Sequence, residues 1–201
     1  AAGLDKANIT IVVATGLHRP NEGDELAELV GDPWVLENFI VENHFARDDA
    51  AHASLGRTRS GTVVKIDKRF VNADVRIATG LVEPHFMAGW SGGRKVIAPG
   101  IAHAETITAF HSARFMEQPG CQNCILDGNP LHAEQLEIMT MLGGATALNV
   151  VIDEARRISL INFGEVVESH LAAVDHVRAY AEVDVPERFP TVVTSAAGYP
   201  L

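Results

Sequence analysis

The sequence predicts a layered α/β fold in which a largely parallel sheet is flanked by helices. Short β-branched runs alternate with stretches of helical periodicity, the pattern of strand, crossover helix and parallel strand. A hydrophobic fraction of 47% over 201 residues is enough to bury one sizeable core, so a single domain is expected over residues 1–201. Polar, glycine-bearing loops follow directly on two of the apolar runs, which is where open α/β sheets hold their ligands.

Each element has its own signal. Ile9 to Thr15 is an apolar, β-branched run closed by Gly16 and reads as a buried strand. Glu22 to Val30 has apolar residues at helical spacing, acids in its first turn and Gly31 just beyond, which predicts a short helix. Thr62 to Ile66 and Val75 to Thr79 are further strands. Gly80, Gly89, Gly92, Gly93 and Gly100 then crowd one stretch, as in loops that approach a ligand through their backbone. Glu105 to Met116 is helical again and Pro119-Gly120 stops it. Pro130 opens another helix as a first-turn proline, running through Leu131, Leu136, Ile138 and Met141 to Gly143-Gly144. Ala147 to Ile152 and Ile158 to Asn162 are strands at hairpin-like separation, Glu165 to Ala181 is helical, and Thr191 to Ser195 is a last strand. The order is Rossmann-like. The chain opens almost directly into a strand and stops at Tyr199-Pro200-Leu201, so both ends read as cuts within a longer protein.

Charge and composition exclude several classes. With 26 acidic against 16 basic residues the net charge is −10, which argues against a duplex nucleic acid partner. No apolar run is long enough to span a bilayer and no secretory signal opens the chain, so a cytoplasmic protein is expected. Cys121 and Cys124 form a lone Cys-x-x-Cys without the further ligands of a closed zinc site, and they read as reduced thiols in a loop that binds no metal.

Two strand ends deliver the chemistry. The first carries Thr15-Gly16-Leu17-His18-Arg19-Pro20. The second carries Thr79-Gly80-Leu81-Val82-Glu83-Pro84-His85-Phe86-Met87-Ala88-Gly89-Trp90-Ser91-Gly92-Gly93-Arg94-Lys95. Each presents a histidine shortly after a Thr-Gly pair, and an imidazole titrating near neutrality both takes and returns a proton. Ser91, Gly92, Gly93 and Arg94 lead to Lys95, a segment whose amides and charges suit a phosphate. It is not the Walker pattern, because Val96 follows the lysine. A lysine in such a pocket also serves as a covalent tether once its pKa is lowered. His111, six residues after Glu105 and near the middle of the expected helix, is a candidate metal ligand. His44, His52, His103, His132, His170 and His176 read as surface or satisfied core.

Taken together, these motifs resemble the N-terminal domain of the nickel-dependent lactate racemase family. Besides the two loops, Pro99-Gly100-Ile101-Ala102 and Glu105-Thr106-Ile107 followed by His111 carry the resemblance, and weaker similarity includes Gly128-Asn129-Pro130 and Gly198-Tyr199-Pro200-Leu201. The resemblance implies a nickel-pincer nucleotide, the pyridinium-3-thioamide-5-thiocarboxylic acid mononucleotide with Ni(II). It places a thioamide tether at Lys95, a nickel ligand at His111 and the acid/base pair at His18 and His85. The implied reaction racemises a 2-hydroxy acid: one histidine removes the hydroxyl proton while the α-hydride moves reversibly to the cofactor. It also implies partners outside these residues, an upstream substrate-binding segment and a C-terminal domain, so the isolated domain is expected to be inactive. A phosphate- or nucleotide-binding module that uses Ser91 to Lys95 without nickel is the competing reading.

Overall fold

The computed structural model describes residues 3–193. The first strand, β1 (Thr10–Val13), pairs in parallel with β2 (Ile40–Asn43), and two short helices cross between them, α1 (Asp24–Val30) and α2 (Pro33–Asn38). Asp24 and Glu25 sit in the first turn of α1, where the helix dipole favours acids, and Gly31 closes it at φ 76°. Asp32 accepts from the Trp34 amide and Pro33 fills the first turn, which fixes the start of α2.

β3 (His52–Arg57) and β4 (Val63–Asp67) form an antiparallel hairpin, followed by the single turn α3 (Lys68–Val71). β5 (Ile77–Leu81) pairs in parallel with β8 (Thr146–Ile152), which pairs antiparallel with β9 (Ile158–Glu165). Between β5 and β8 lie a two-residue hairpin, β6 (Pro84–His85) with β7 (Gly89–Trp90), and the helices α4 (Arg94–Ile97), α5 (Ala104–Phe110), α6 (Ala113–Met116) and α7 (Pro130–Leu142). The final helix is α8 (Glu168–Ala181).

The expected largely parallel sheet is corrected by this topology: the described strands form four small sheets, with parallel pairing only in β1–β2 and β5–β8. The reason is connection length. Thr58–Thr62 between β3 and β4, and Asp153–Arg157 between β8 and β9, are too short for a crossover and force hairpins. The expected helix from Glu105 to Met116 is also two helices. Ser112 is extended (φ −80°, ψ 155°) at the N-cap of α6, and its hydroxyl turns back to the Ala109 carbonyl at 2.6 Å. Glu165 ends β9 instead of opening α8; its carboxylate accepts the Val167 and Glu168 amides at 2.8 and 2.9 Å. Of the expected last strand Thr191 to Ser195, residues 191–193 are not strand; 194–195 and the Gly198 to Leu201 motif lie outside the described residues.

The main core gathers Val64 and Ile66 of β4, Ile97, Ile107, Phe110, Leu131 and Ile138. A second cluster packs Val82, Trp90 and Val151 against Val174 and Val177 of α8. The loop from His85 to Lys95 runs between the two, held on both sides by buried apolar surface.

Candidate active site

The loop after β1 is a tight turn. The Thr15 amide donates to the Val13 carbonyl and the His18 amide to the Thr15 carbonyl, both at 3.0 Å, with Gly16 at φ 57°. The Thr15 hydroxyl donates to the His44 carbonyl at 2.8 Å. The Gly16 amide donates to the Gly100 carbonyl at 2.9 Å, and the Gly100 amide to the Lys95 carbonyl at 3.2 Å. Two backbone bonds therefore connect the His18 turn to the Lys95 turn. The His18 side chain itself is exposed.

His85 is partly buried and stacks on Phe86, with ring centroids 4.9 Å apart. Its Nδ1 accepts two backbone amides, Met87 at 3.3 Å and Ala88 at 3.0 Å. Burial, then the positive charges of Lys95 and Arg94 and finally His111, push its pKa down to about 4.

The Lys95 amine is partly buried, and among the described residues it has no hydrogen-bond or ion-pair partner. Burial and the neighbouring Arg94 charge lower its pKa, with Glu83 opposing. Arg94 is fully buried with no carboxylate in ion-pair range among the described residues, and burial lowers it to about 9. Its Nη2 donates to the Ala88 carbonyl at 3.1 Å, while Nη1 reaches the Trp90 carbonyl at 3.4 Å and lies 2.9 Å from Nε2 of His170. The guanidinium thus braces the loop from inside. Ser91 is similarly engaged, its hydroxyl donating to the Leu81 carbonyl at 2.8 Å and accepting the Glu83 amide at 3.0 Å.

The glycines of this stretch answer to packing. A Cβ on Gly92 would stand 2.6 Å from Val82 Cγ2, one on Gly93 2.6 Å from His170 Cβ, and one on Gly89 2.1 Å from the Ile125 carbonyl oxygen. The chain packs on itself this closely because those side chains are missing.

His111 is not near the middle of a helix, as the periodicity suggests, but at the C-cap of α5 and exposed. Its Nδ1 lies 2.9 Å from the Ile107 carbonyl, so Nδ1 carries the proton and Nε2 keeps its lone pair. That is the tautomer of a metal-ligating imidazole oriented by a backbone carbonyl. No group of three or more His, Cys, Asp or Glu side chains among the described residues is arranged to hold a metal alone. A cavity of about 430 Å³ at the start of α7 is lined by Leu126 to Pro130, His132, Ala133 and Leu136, and by none of the four residues singled out for chemistry.

Sequence reasoning missed how His170 and Asn129 serve this site. His170 is fully buried, and its Nε2 lies 2.8 Å from the Ser91 carbonyl and 2.9 Å from Nη1 of Arg94. Asn129 donates Nδ2–H to the Met87 carbonyl at 3.0 Å while its Oδ1 accepts the Leu131 and His132 amides. Its position before a first-turn proline was a capping signal, but nothing local announced the contact to Met87. Cys121 and Cys124 are free thiols, and Cys121 donates to the same Met87 carbonyl at 3.2 Å. The remaining histidines include a packed group: His44 and His52 meet through Nε2 at 3.0 Å, and the His52 ring lies edge-on to His103 at 5.0 Å.

The described residues form a mixed α/β domain with small mixed sheets, and the family model of the lactate racemase N-terminal domain matches residues 1–123. The chain belongs to the lactate racemase family. It is 37% identical over 196 residues to the lactate racemase of Thermoanaerobacterium thermosaccharolyticum, and 34% over 195 residues to that of Lactiplantibacillus plantarum. Each alignment covers 97% of this chain but 45% and 46% of the relative, so the chain spans about half their length. The solved lactate racemase apoprotein of T. thermosaccharolyticum superposes with a TM-score of 0.81 at 36% identity, covering 85% of this chain and 40% of that one. A protein from Thermotoga maritima shares the fold alone, with a TM-score of 0.70 at 22% identity over 83% of this chain and 44% of that one. No described helix is long and apolar enough to cross a membrane.

Proposed function

We propose that this chain is the catalytic and cofactor-binding N-terminal domain of a nickel-dependent racemase of a lactate-like 2-hydroxy acid. The observation that carries the reading is the Lys95 amine, partly buried and without a hydrogen-bond or ion-pair partner among the described residues, on a turn that backbone bonds through Gly100 join to the turn of His18.

The donor set fits the implied nickel-pincer nucleotide. Lys95 offers an amine without a partner among the described residues, its pKa lowered by burial and by the Arg94 charge, as the site for a thioamide tether, and the rest of the loop, Ser91 to Arg94, fixes its backbone. His111 has a free Nε2 lone pair to offer Ni(II) as its one protein ligand. When bound, the cofactor supplies a reversible acceptor for the substrate's α-hydride. The protein's own share is proton handling. His18 and His85 exchange the hydroxyl proton of the 2-hydroxy acid while the carbon centre inverts; backbone hydrogen bonds fix the turn that carries His18, and the Met87 and Ala88 amides hold the His85 ring.

A plain phosphate site is less well supported, since Arg94 is fully buried with both terminal nitrogens turned to carbonyls inside the protein and Ser91 spends its hydroxyl on β5. The test is the complete enzyme matured with nickel cofactor and given one enantiomer of lactate and of other 2-hydroxy acids. Loss of optical rotation without net oxidation supports the reading. A Lys95 peptide of unmodified mass and no racemisation of any acid refute it.

A further inference from the structure

The loop that carries His18 is gripped at both ends. At its start the Thr15 hydroxyl donates to the His44 carbonyl at 2.8 Å. At its far end Asn43 holds Asn21 through two bonds: Asn43 Nδ2 donates to the Asn21 carbonyl at 2.7 Å, and Asn43 Oδ1 accepts the Asn21 amide at 3.1 Å. Asn43 is buried at the carboxyl end of β2, in register with Val13 at the end of β1. Its own carbonyl accepts Arg69 Nη2 at 3.1 Å, and Arg69 is ion-paired with the buried Asp67. We propose that Asn43 is a positioning residue for His18, closing the loop from Thr15 to Asn21 and so fixing where the His18 backbone stands beyond the strand ends.

The primary amide of Asn presents an acceptor and a donor side by side. One side chain therefore satisfies both backbone groups of Asn21, as a neighbouring strand would. The other backbone ties lie at the start of the loop, where the His18 amide donates to the Thr15 carbonyl and the Gly16 amide to the Gly100 carbonyl. His18 stands three residues from Thr15 and three from Asn21, with its side chain exposed. The Arg19–Glu25 ion pair also links the loop to α1, but both side chains are exposed and such pairs hold weakly. Placement matters because a catalytic group displaced by about 1 Å loses on the order of 100-fold in rate. The grip is a property of this chain; its catalytic consequence rests on the racemase reading above. Two enantiomers that share one carboxylate site and give up hydride in the same direction turn their hydroxyls to opposite sides. Each histidine then serves one enantiomer.

The test uses Asn43→Ala and Asn43→Asp in the complete enzyme, with two readouts. In the apoprotein, residue-resolved amide hydrogen exchange should show Asn21 exchanging about tenfold faster in Asn43→Ala, with Gly16 unchanged. Asn43→Asp keeps an acceptor for the Asn21 amide and loses only the donor to its carbonyl, so Asn21 should stay protected there. In the matured enzyme, acid-quenched first turnovers give the 2-keto acid formed from each enantiomer of lactate separately. One enantiomer should react about tenfold more slowly in Asn43→Ala, and the other at the parent rate. Steady-state kcat/KM cannot show this split, since enantiomers are equal in energy and both directions must fall together. Unchanged Asn21 exchange in Asn43→Ala overturns the grip, and first turnovers slowed equally or not at all overturn the positioning role. Should Asn43→Ala fail to fold, Asn43→Asp carries the second readout, with the same one-sided slowing expected. A parent enzyme that racemises nothing ends the racemase reading, and the exchange measurement still decides the grip.

Discussion

The Gly16 amide donates to the Gly100 carbonyl at 2.9 Å, joining the turn that carries His18 to the turn that follows Lys95. Gly100 occupies the tightest point of that join. A Cβ there would lie 2.0 Å from the Val96 carbonyl oxygen and 3.2 Å from Ala14 Cβ, and neither neighbour is the movable end of a side chain. Gly100→Ala should cost about 1–3 kcal/mol in urea unfolding, an overpacking penalty that falls on the backbone. A loss below about 0.5 kcal/mol would mean that the two turns are not rigidly joined.

For His111 the expected outcome separates metal from tether. His111→Ala removes the Nε2 lone pair but leaves the Lys95 amine untouched, since the two sit on different turns. Nickel content of the matured enzyme should fall with activity, while the Lys95 peptide keeps its added mass. Full nickel occupancy in the variant would remove His111 from the metal.

What was legible followed local rules. α7 announced itself through Pro130 and Gly143-Gly144, and the loops through their Thr-Gly starts. β3 was not seen because His52-Ala53-Ser54-Leu55-Gly56-Arg57 has no apolar run, and its strand state comes from pairing with β4. The break at His111-Ser112 hid because helical spacing continues across it. At the site, the residue types of Lys95, His85 and His111 were readable, but the burial of Arg94 and the reach of Asn129 to Met87 depend on contacts 6 and 42 residues apart.

Stability should depend on pH through the buried histidines. Burial pushes His170 down to about 3 and His44 to about 4 from an ordinary 6.5. The unfolded chain then binds protons that the folded chain refuses, so stability is full above about pH 6.5 and falls as pH drops toward 4. Each group contributes a slope of about 1.4 kcal/mol per pH unit within that window. His170→Gln keeps a donor for the Ser91 carbonyl without a titrating ring. Urea unfolding at stepped pH should show a shallower acid limb in this variant, and an unchanged slope would place the dependence elsewhere.

The most discriminating pair of substitutions is at Lys95. The amine has no partner among the described residues and is lowered in pKa by burial and by Arg94, which is the state of a nucleophile rather than of a surface charge. Lys95→Ala removes both amine and charge. Lys95→Arg keeps the charge but holds it on a guanidinium that stays protonated and forms no thioamide. If Lys95 is the tether, both variants of the matured enzyme should lack the cofactor mass on this peptide and lose racemisation together. If Lys95 only attracts a phosphate, Lys95→Arg should retain most of the ligand affinity while Lys95→Ala loses it. Intact-mass and peptide-mass spectrometry of the two variants, beside a racemisation assay, separates these outcomes, and parent-like activity in Lys95→Arg would end the tether assignment.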